Sequence, residues 1–428
     1  MSRVLAVLGG GSAYAPGLVQ ALLHHAKSLE LSEVRLHDLD QERLEVVGTL
    51  ADRMSTAVGR PFAVVPMASL DDALRGARVV LNSTRPGGLR ARHLDETIPL
   101  EFDVPGQETV GPGGFFFALR SVPYALKLAA RMRELAPSAT LLNYTNPTNI
   151  VCQALADRTD LRFLGLCDQS DEDLETLARA AGRPGTFSFE CVGLNHATWY
   201  ARLVASDGTV FNPSRALEPP ADLDEEHRLR FVLSRELWTR VRSGWPNSYL
   251  PYYTHPADFV ALTRRRGSRA EIIEASLPSY YQHFREEGAK EVPHLLRHRG
   301  TSGFGDLAVR TLIALGRPER QRLVLNVPGG GCTATFRPDT VVEVPVELGA
   351  SSLVRHSPAP PPSFLEPLLH RLERYQRAAA EVASKPSTAA ELADALAENP
   401  LVADRKIAGK LIERARQAYA PGLLELRS

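Results

Sequence analysis

The chain has 428 residues, with 50 lysines and arginines balanced by 50 aspartates and glutamates. A formal net charge of zero leaves no electrostatic handle for nucleic acid or an anionic membrane, and no apolar run approaches the roughly 20 residues that span a bilayer. The hydrophobic fraction, 44%, supports a full core, and the length predicts one large domain or two intimately joined ones. Met1-Ser2-Arg3 runs straight into a strand and leaves no room for a signal peptide. The cysteines, Cys152, Cys167, Cys191 and Cys332, are too widely spaced for a disulfide framework, which predicts a reducing, cytoplasmic address.

Val4–Leu8 reads as a short buried strand, followed by Gly9-Gly10-Gly11 and a helix marked by Leu18, Ala21, Leu22 and His25. Glycines without Cβ let the backbone turn sharply and approach a ligand. The helix that follows aims N–H groups and a positive dipole end at that ligand, for which a pyrophosphate is the natural occupant. The spacing is not a strict G-x-G-x-x-G, so a tight turn without a ligand is the bland alternative. Glu33–Asp38 is a second strand ending in an acid. Asp38 sits where dinucleotide folds place the carboxylate that takes the ribose hydroxyls, which favours NAD over NADP, with Asp40 as a close rival.

The grammar then repeats: helix Glu42–Val58, strand Phe62–Val65, helix Ser69–Arg75, strand Ala77–Asn82. Strand alternating with helix through the first 170 residues or so predicts a Rossmann-like, doubly wound parallel sheet. Asn82-Ser83-Thr84-Arg85-Pro86-Gly87-Gly88 is a polar loop at a strand's carboxyl end, where ligands collect in open α/β sheets. Arg90–Gly114 is expected to be a long, irregular functional segment, before a helix over Phe116–Leu135. Strands Ala139–Leu142 and Leu161–Leu166 follow, the second leading into Cys167-Asp168.

From Thr186 the pattern changes to antiparallel strands, Phe187–Val192 and Thr198–Val204, around Gly193-Leu194-Asn195-His196. Helices dominate Asp222–Gly288, interrupted by an aromatic cluster of Trp245, Tyr249, Tyr252 and Tyr253. Leu323–Val327 and Val341–Val346 are further strands, and Phe364–Ser384, Thr388–Glu398 and Lys406–Tyr419 closing helices. The expected division is a cofactor-binding unit over 1–170 and an α+β unit over 171–428.

Cys167 and His196 each stand just beyond a strand in a glycine-containing loop. Thiolate and imidazole together suit a divalent metal with open positions, although a lone cysteine is more often packed as a small hydrophobe. Asp168 is a possible acid. A tyrosine base would need its pKa lowered from about 10 by a metal or a cation. Arg92 and Arg269 could hold a phosphate bidentately. His24-His25 reads as structural and Arg264-Arg265-Arg266 as a solvated face.

Taken together, Gly10-Gly11-Ser12-Ala13-Tyr14-Ala15-Pro16, Arg85-Pro86-Gly87-Gly88 with Arg92 and Asp95–Leu100, Gly106-Gln107-Glu108-Thr109-Val110-Gly111-Pro112-Gly113-Gly114, Thr145-Asn146-Pro147, Gly165–Asp168, Gly193–His196, Ser248-Tyr249-Leu250 and Asn399–Val402 resemble the NAD-dependent family 4 glycoside hydrolases, especially the 6-phospho-glucosidases. The resemblance covers nearly the whole chain. It implies a lactate/malate dehydrogenase-like fold whose NAD rests against Gly9, Gly10, Gly11, Ser12, Ala13, Tyr14, Asp38 and Asn82. Cys167 and His196 would hold Mn2+ or another divalent metal. Tyr249 would be the base, with Glu108 raising its basicity and Tyr252 and Tyr253 as rivals, and Asp168 the general acid. Arg92, Asn146 and Arg269, and Arg85 less directly, would contact the sugar and its phosphate. The implied reaction oxidises C3 with NAD, removes the C2 proton, eliminates the leaving group from C1, adds water and returns the hydride. A homodimer or homotetramer acting on a sugar phosphate is expected.

Three stretches depart from the family pattern: Arg299–Phe304, Asn326–Gly331 and Pro251. They shape the substrate end and leave the anomer open. A 6-phospho-β-glucosidase is favoured, with a 6-phospho-α-glucosidase or an α-galactosidase of the same family as alternatives. Of other classes, an NAD-dependent 2-hydroxyacid dehydrogenase would accumulate NADH, and a non-catalytic NAD-binding regulator would need no Tyr/Cys/His set.

Overall fold

The computed structural model describes residues 3–183, 185–295, 304–402 and 404–419. The departure at Arg299–Phe304 lies outside them, apart from a helix that begins at Phe304. Six parallel strands form one half of the sheet: β1 (Val4–Leu8), β2 (Glu33–His37), β3 (Ala63–Met67), β4 (Val79–Asn82), β5 (Thr140–Asn143) and β6 (Phe163–Gly165), in the order β3-β2-β1-β4-β5-β6. β1 is buried at every position, as a parallel strand covered by helices on both faces must be.

Register matters more than strand count here. Leu8 pairs with His37 and Asn82, Asn82 with Asn143, and Asn143 with Gly165. The carboxyl ends of five strands are therefore flush. The glycine turn, Asp38, the loops after Asn82 and Asn143, and Cys167 all open on the same edge of the sheet.

The second half continues that sheet. β7 (Ser188–Leu194), β8 (Ala197–Val204), β9 (Trp245–Pro246), β10 (Gln321–Pro328), β11 (Val341–Gly349) and β12 (Ser352–Arg355) extend it as β6-β10-β11-β7-β8-β9, with β12 on β11. Asn326 of β10 pairs with Gly165 of β6, and Glu343 of β11 with Gly193 of β7. The tight β7–β8 hairpin thereby carries Asn195-His196 to the edge where Cys167 emerges.

Arg90–Gly114 is not the irregular segment its polarity suggests. It contains a helix, Gly88–Thr97, then a 3-10 turn, Pro99–Phe102, and the long helix starts at Gly111. The reason is an inward face of Ala91, Arg92, Asp95 and Glu96, all buried. Those charges are paired: Arg120 clamps Asp95 through two hydrogen bonds of 3.0 and 2.6 Å, and Arg92 donates to Glu96 at 2.7 Å. Gly106 passes so close that a Cβ there would lie 1.6 Å from the Glu96 carbonyl oxygen. Most of the apolar interior forms one cluster. A smaller one gathers Tyr200, Phe231 and Trp245, and a third, Val110, Leu233, Tyr252 and Phe259, lies beneath the candidate site. Among the described residues no helix is long and apolar enough to cross a membrane.

Candidate active site

The glycine turn has the form of a candidate dinucleotide cradle. Gly9 has φ 88°, and the N–H groups of Gly9 and Gly10 both donate to the His37 carbonyl at 2.9 Å. A Cβ on Gly10 would come within 2.8 Å of the Leu36 Cβ, so the turn can close only with glycine. Asp38 accepts from the Gly11 N–H at 3.0 Å and the Asp40 N–H at 3.1 Å, which fixes its carboxylate at the end of β2. Asp40 instead caps the next helix by accepting from the Arg43 N–H at 3.0 Å. Asn82 is wholly buried, donates to Asn143 at 3.1 Å and accepts from Thr84 at 2.8 Å. Ser12, Ala13 and Tyr14 complete the turn, and the helix Ala15–His24 begins behind them. Tyr281 closes the cradle from the second half, donating to the Gly11 carbonyl at 2.6 Å.

Cys167 and His196, 29 residues apart, meet with Sγ and Nε2 at 3.5 Å. The imidazole tautomer follows from its neighbours. Gln107 Oε1 accepts from the backbone N–H of Val110 at 2.9 Å and from the Thr109 hydroxyl at 2.7 Å. With its proton so committed, Thr109 Oγ1 can only accept from His196 Nδ1, 2.9 Å away. The Nε2 lone pair therefore faces Cys167. Burial and the nearby Arg230 push the His196 pKa down to about 3, which keeps the ring neutral. Burial and Glu343 raise the Cys167 thiol well above its usual value, so an added cation is what would favour its thiolate. A neutral imidazole and a sulfur aimed at one point suit a divalent metal. Among the described residues no group of three or more His, Cys, Asp or Glu gathers as a ligand set.

Tyr249 stacks on that same imidazole, ring centroids 4.0 Å apart and 6° from parallel. The Arg230 guanidinium lies 3.9 Å over its other side. Burial pushes the Tyr249 phenol up to about 12, with Arg230 opposing and Glu108 reinforcing the rise. Tyr252 differs: its hydroxyl donates to Glu226 at 2.9 Å and its ring stacks on Phe259. Tyr253 packs against the core and the cluster beneath the site. Asp168 begins the helix Gln169–Ala180 and accepts from the Tyr144 hydroxyl at 3.2 Å. Burial, with Glu172 and Asp171 beside it, holds its carboxyl well above the usual range, so it keeps its proton where other aspartates lose theirs.

Of these groups Tyr249 and Tyr252 line a cavity together with Arg92, Glu108, Glu226, Arg230, Arg266 and Arg269 among others, while Cys167, Asp168 and His196 are not part of its lining. Glu108 is gripped by Arg85 and by Arg92, the latter at 3.1 Å. Arg269 opens the helix Arg269–Gly288 and reaches Asp224 at 3.3 Å. Asn146 stands apart from this lining, and its Oδ1 accepts from the Thr148 hydroxyl at 3.1 Å. Arg266 corrects the expectation of a solvated Arg264–Arg266 face. Arg264 and Arg265 are exposed, but Arg266 turns inward to pair with Glu226. Arg230, Glu226 and Arg266 were not singled out by the sequence.

A family model described as family 4 glycosyl hydrolase matches residues 4–181, and one described as the family 4 glycosyl hydrolase C-terminal domain matches residues 191–402. The chain belongs to the family 4 glycosyl hydrolases. It is 28% identical over 431 residues to a probable 6-phospho-beta-glucosidase of Bacillus subtilis, covering 97% of each chain. The crystal structure of the Thermotoga maritima 6-phospho-beta-glucosidase with NAD and glucose-6-phosphate superposes with a TM-score of 0.86 at 25% identity, over 100% of both chains. A 6-phospho-alpha-glucosidase from gut microorganisms in complex with NAD and Mn2+ shares the fold with a TM-score of 0.91 at 22% identity, again over 100% of both. The expected family, fold and glycosidase class are thus borne out.

Proposed function

We propose that this family 4 hydrolase cleaves 6-phosphoglucosides, the β anomer first and the α anomer as the alternative, with NAD and Mn2+ as resident cofactors. The observation that carries this reading is the meeting of Cys167, His196 and Tyr249 at one point, on the sheet edge where the glycine turn also opens. When bound, NAD+ supplies a hydride acceptor for C3 of the sugar, and the metal supplies Lewis acidity beside Cys167 and His196. The chain does the rest. Burial and Glu108 raise the Tyr249 phenol while the Arg230 cation lowers it, and a bound divalent cation would lower it further; Tyr249 then takes the C2 proton as its phenolate, which Glu108 makes the stronger base. Asp168, holding its proton, delivers it to the departing oxygen. Arg92 and Arg269 orient the substrate's phosphate, since a guanidinium fork matches a phosphate's oxygens. Arg85 acts through Glu108, and Asn146 contacts the sugar. Residues 1–170 hold the cofactor and 171–428 complete the metal and substrate side of a cytoplasmic homodimer or homotetramer.

The test is cleavage of nitrophenyl α- and β-glucoside 6-phosphates with NAD+, Mn2+ and a thiol reductant, each omitted in turn. Hydrolysis should require all three and leave no net NADH. Full activity without NAD+, or no cleavage of either anomer, refutes the proposal. Deuterium appearing at C2 in heavy water checks the proton abstraction separately.

A further inference from the structure

One buried carboxylate lies behind the hairpin that carries His196 and does not line the cavity. Glu343 sits mid-strand in β11, within Val341–Val346, an otherwise uncharged run, and is 2% exposed. Its oxygens accept from Asn195 Nδ2 at 2.8 Å, Asn326 Nδ2 at 3.2 Å and the Thr198 hydroxyl at 3.1 Å. A carboxylate in such a place is expensive to bury, and an apolar side chain would serve packing better. Its partners explain its presence.

Asn195 and Thr198 flank His196 on the two sides of the hairpin turn. His196 itself has φ 66°, a left-handed conformation that a non-glycine residue holds only when its surroundings impose it. Glu343 grips the chain just before and just after that strained residue. Asn326 lies on β10 directly opposite Gly165, the end of the strand that delivers Cys167. The third arm reaches Tyr249: Asn247 donates to Thr198 Oγ1 at 3.3 Å and accepts from the Tyr249 N–H at 2.9 Å.

We infer that Glu343 is a positioning residue, whose buried carboxylate fixes the His196 turn against Cys167 and so presets the geometry in which the pair receives a divalent cation. This rests on the reading of Cys167 and His196 as the metal-holding pair. Supporting partners of this kind are typically worth about 10- to 100-fold in metal affinity.

The test uses the full chain with Glu343→Ala, which removes every arm, and Glu343→Gln, which keeps the shape but replaces one acceptor oxygen by a donor. Mn2+ alone is titrated by electron paramagnetic resonance, and NAD+ by fluorescence, so neither readout depends on turnover. In Glu343→Ala the Mn2+ dissociation constant should rise at least about tenfold with that for NAD+ within about twofold of wild type, and Glu343→Gln should fall between the two. A merely structural role would not separate the two affinities. Mn2+ binding unchanged in an alanine variant that still binds NAD+ overturns the inference. Where the alanine variant binds neither ligand, Glu343→Gln decides: a rise of about threefold or more supports it, and wild-type Mn2+ affinity overturns it. A wild-type chain that takes up no Mn2+ overturns both this and the proposed function. Mn2+ uptake without hydrolysis overturns the function alone.

Discussion

Glu226 offers a prediction in which the sign and the size both come from the site. It is a buried residue of the cavity lining, accepts from the Tyr252 hydroxyl and pairs with Arg266. Burial alone would raise its pKa, but Arg230, Arg266 and Arg269 more than reverse this and pull it from 4.5 to about 2. A folded-state pKa below the unfolded one adds stability that is fully present above pH 4.5 and is lost as pH falls towards 2. A gap of roughly 2.5 units corresponds to about 3 kcal/mol. Glu226→Gln keeps the shape and the tyrosine contact but leaves three guanidiniums short of a counter-charge. At pH 7 the variant should therefore be less stable by about 3 kcal/mol, within the range for breaking a buried pair. Urea unfolding followed at a series of pH values measures this directly. The wild-type and variant stabilities should converge as pH falls from 4.5 towards 2. Parallel pH profiles with a constant gap would refute the reasoning, because Glu226 would then act through packing and not through its charge.

Of the three tyrosines, Tyr249→Phe should lower kcat by about 10²- to 10⁴-fold, whereas Tyr252→Phe should cost about 1 kcal/mol of stability and leave turnover nearly intact; steady-state kinetics beside thermal unfolding separates the two. Gly10→Ala drives a Cβ against Leu36 at 2.8 Å, so NAD+ affinity by fluorescence titration should fall at least about tenfold with the cradle distorted. Arg269→Gln should raise KM for the phosphorylated glucoside about tenfold or more, from the loss of one charge-assisted hydrogen bond, while KM for the unphosphorylated glucoside stays the same.

What the sequence exposes is governed by where polar residues sit. Cys167, Asp168, His196 and Tyr249 follow strand ends or stand in glycine- and aromatic-marked loops, where a polar residue reads as chemistry. The parallel half of the sheet is equally legible, because its central strands β1, β4 and β5 are short, mainly apolar runs. The residues that escape notice are charged groups facing inward from regular elements. Periodicity assumes that the buried side of a helix is apolar. Arg92, Asp95 and Glu96 break that assumption at helical spacing, so Gly88–Thr97 looks like a loop. Arg230 and Glu226 break it on the helix Glu225–Trp238, whose many other charges hide the two that turn in. Arg266 is concealed by its exposed neighbours Arg264 and Arg265. Glu343 is hidden in the opposite way, as one acid in an apolar strand that would form without it.

The two kinds of concealment share a cause. Apart from Arg92 with Glu96, the inward charges find partners far away in the chain: Arg266 meets Glu226 across 40 residues and Glu343 meets Asn195 across 148. A charge with a partner four residues away leaves a local signature, as Arg92 with Glu96 does once the helix is known. A charge whose partner arrives only when β7, β10 and β11 have assembled leaves none. The candidate reactive side chains are therefore visible in the sequence, while the groups that hold them in place become visible only when the sheet has closed.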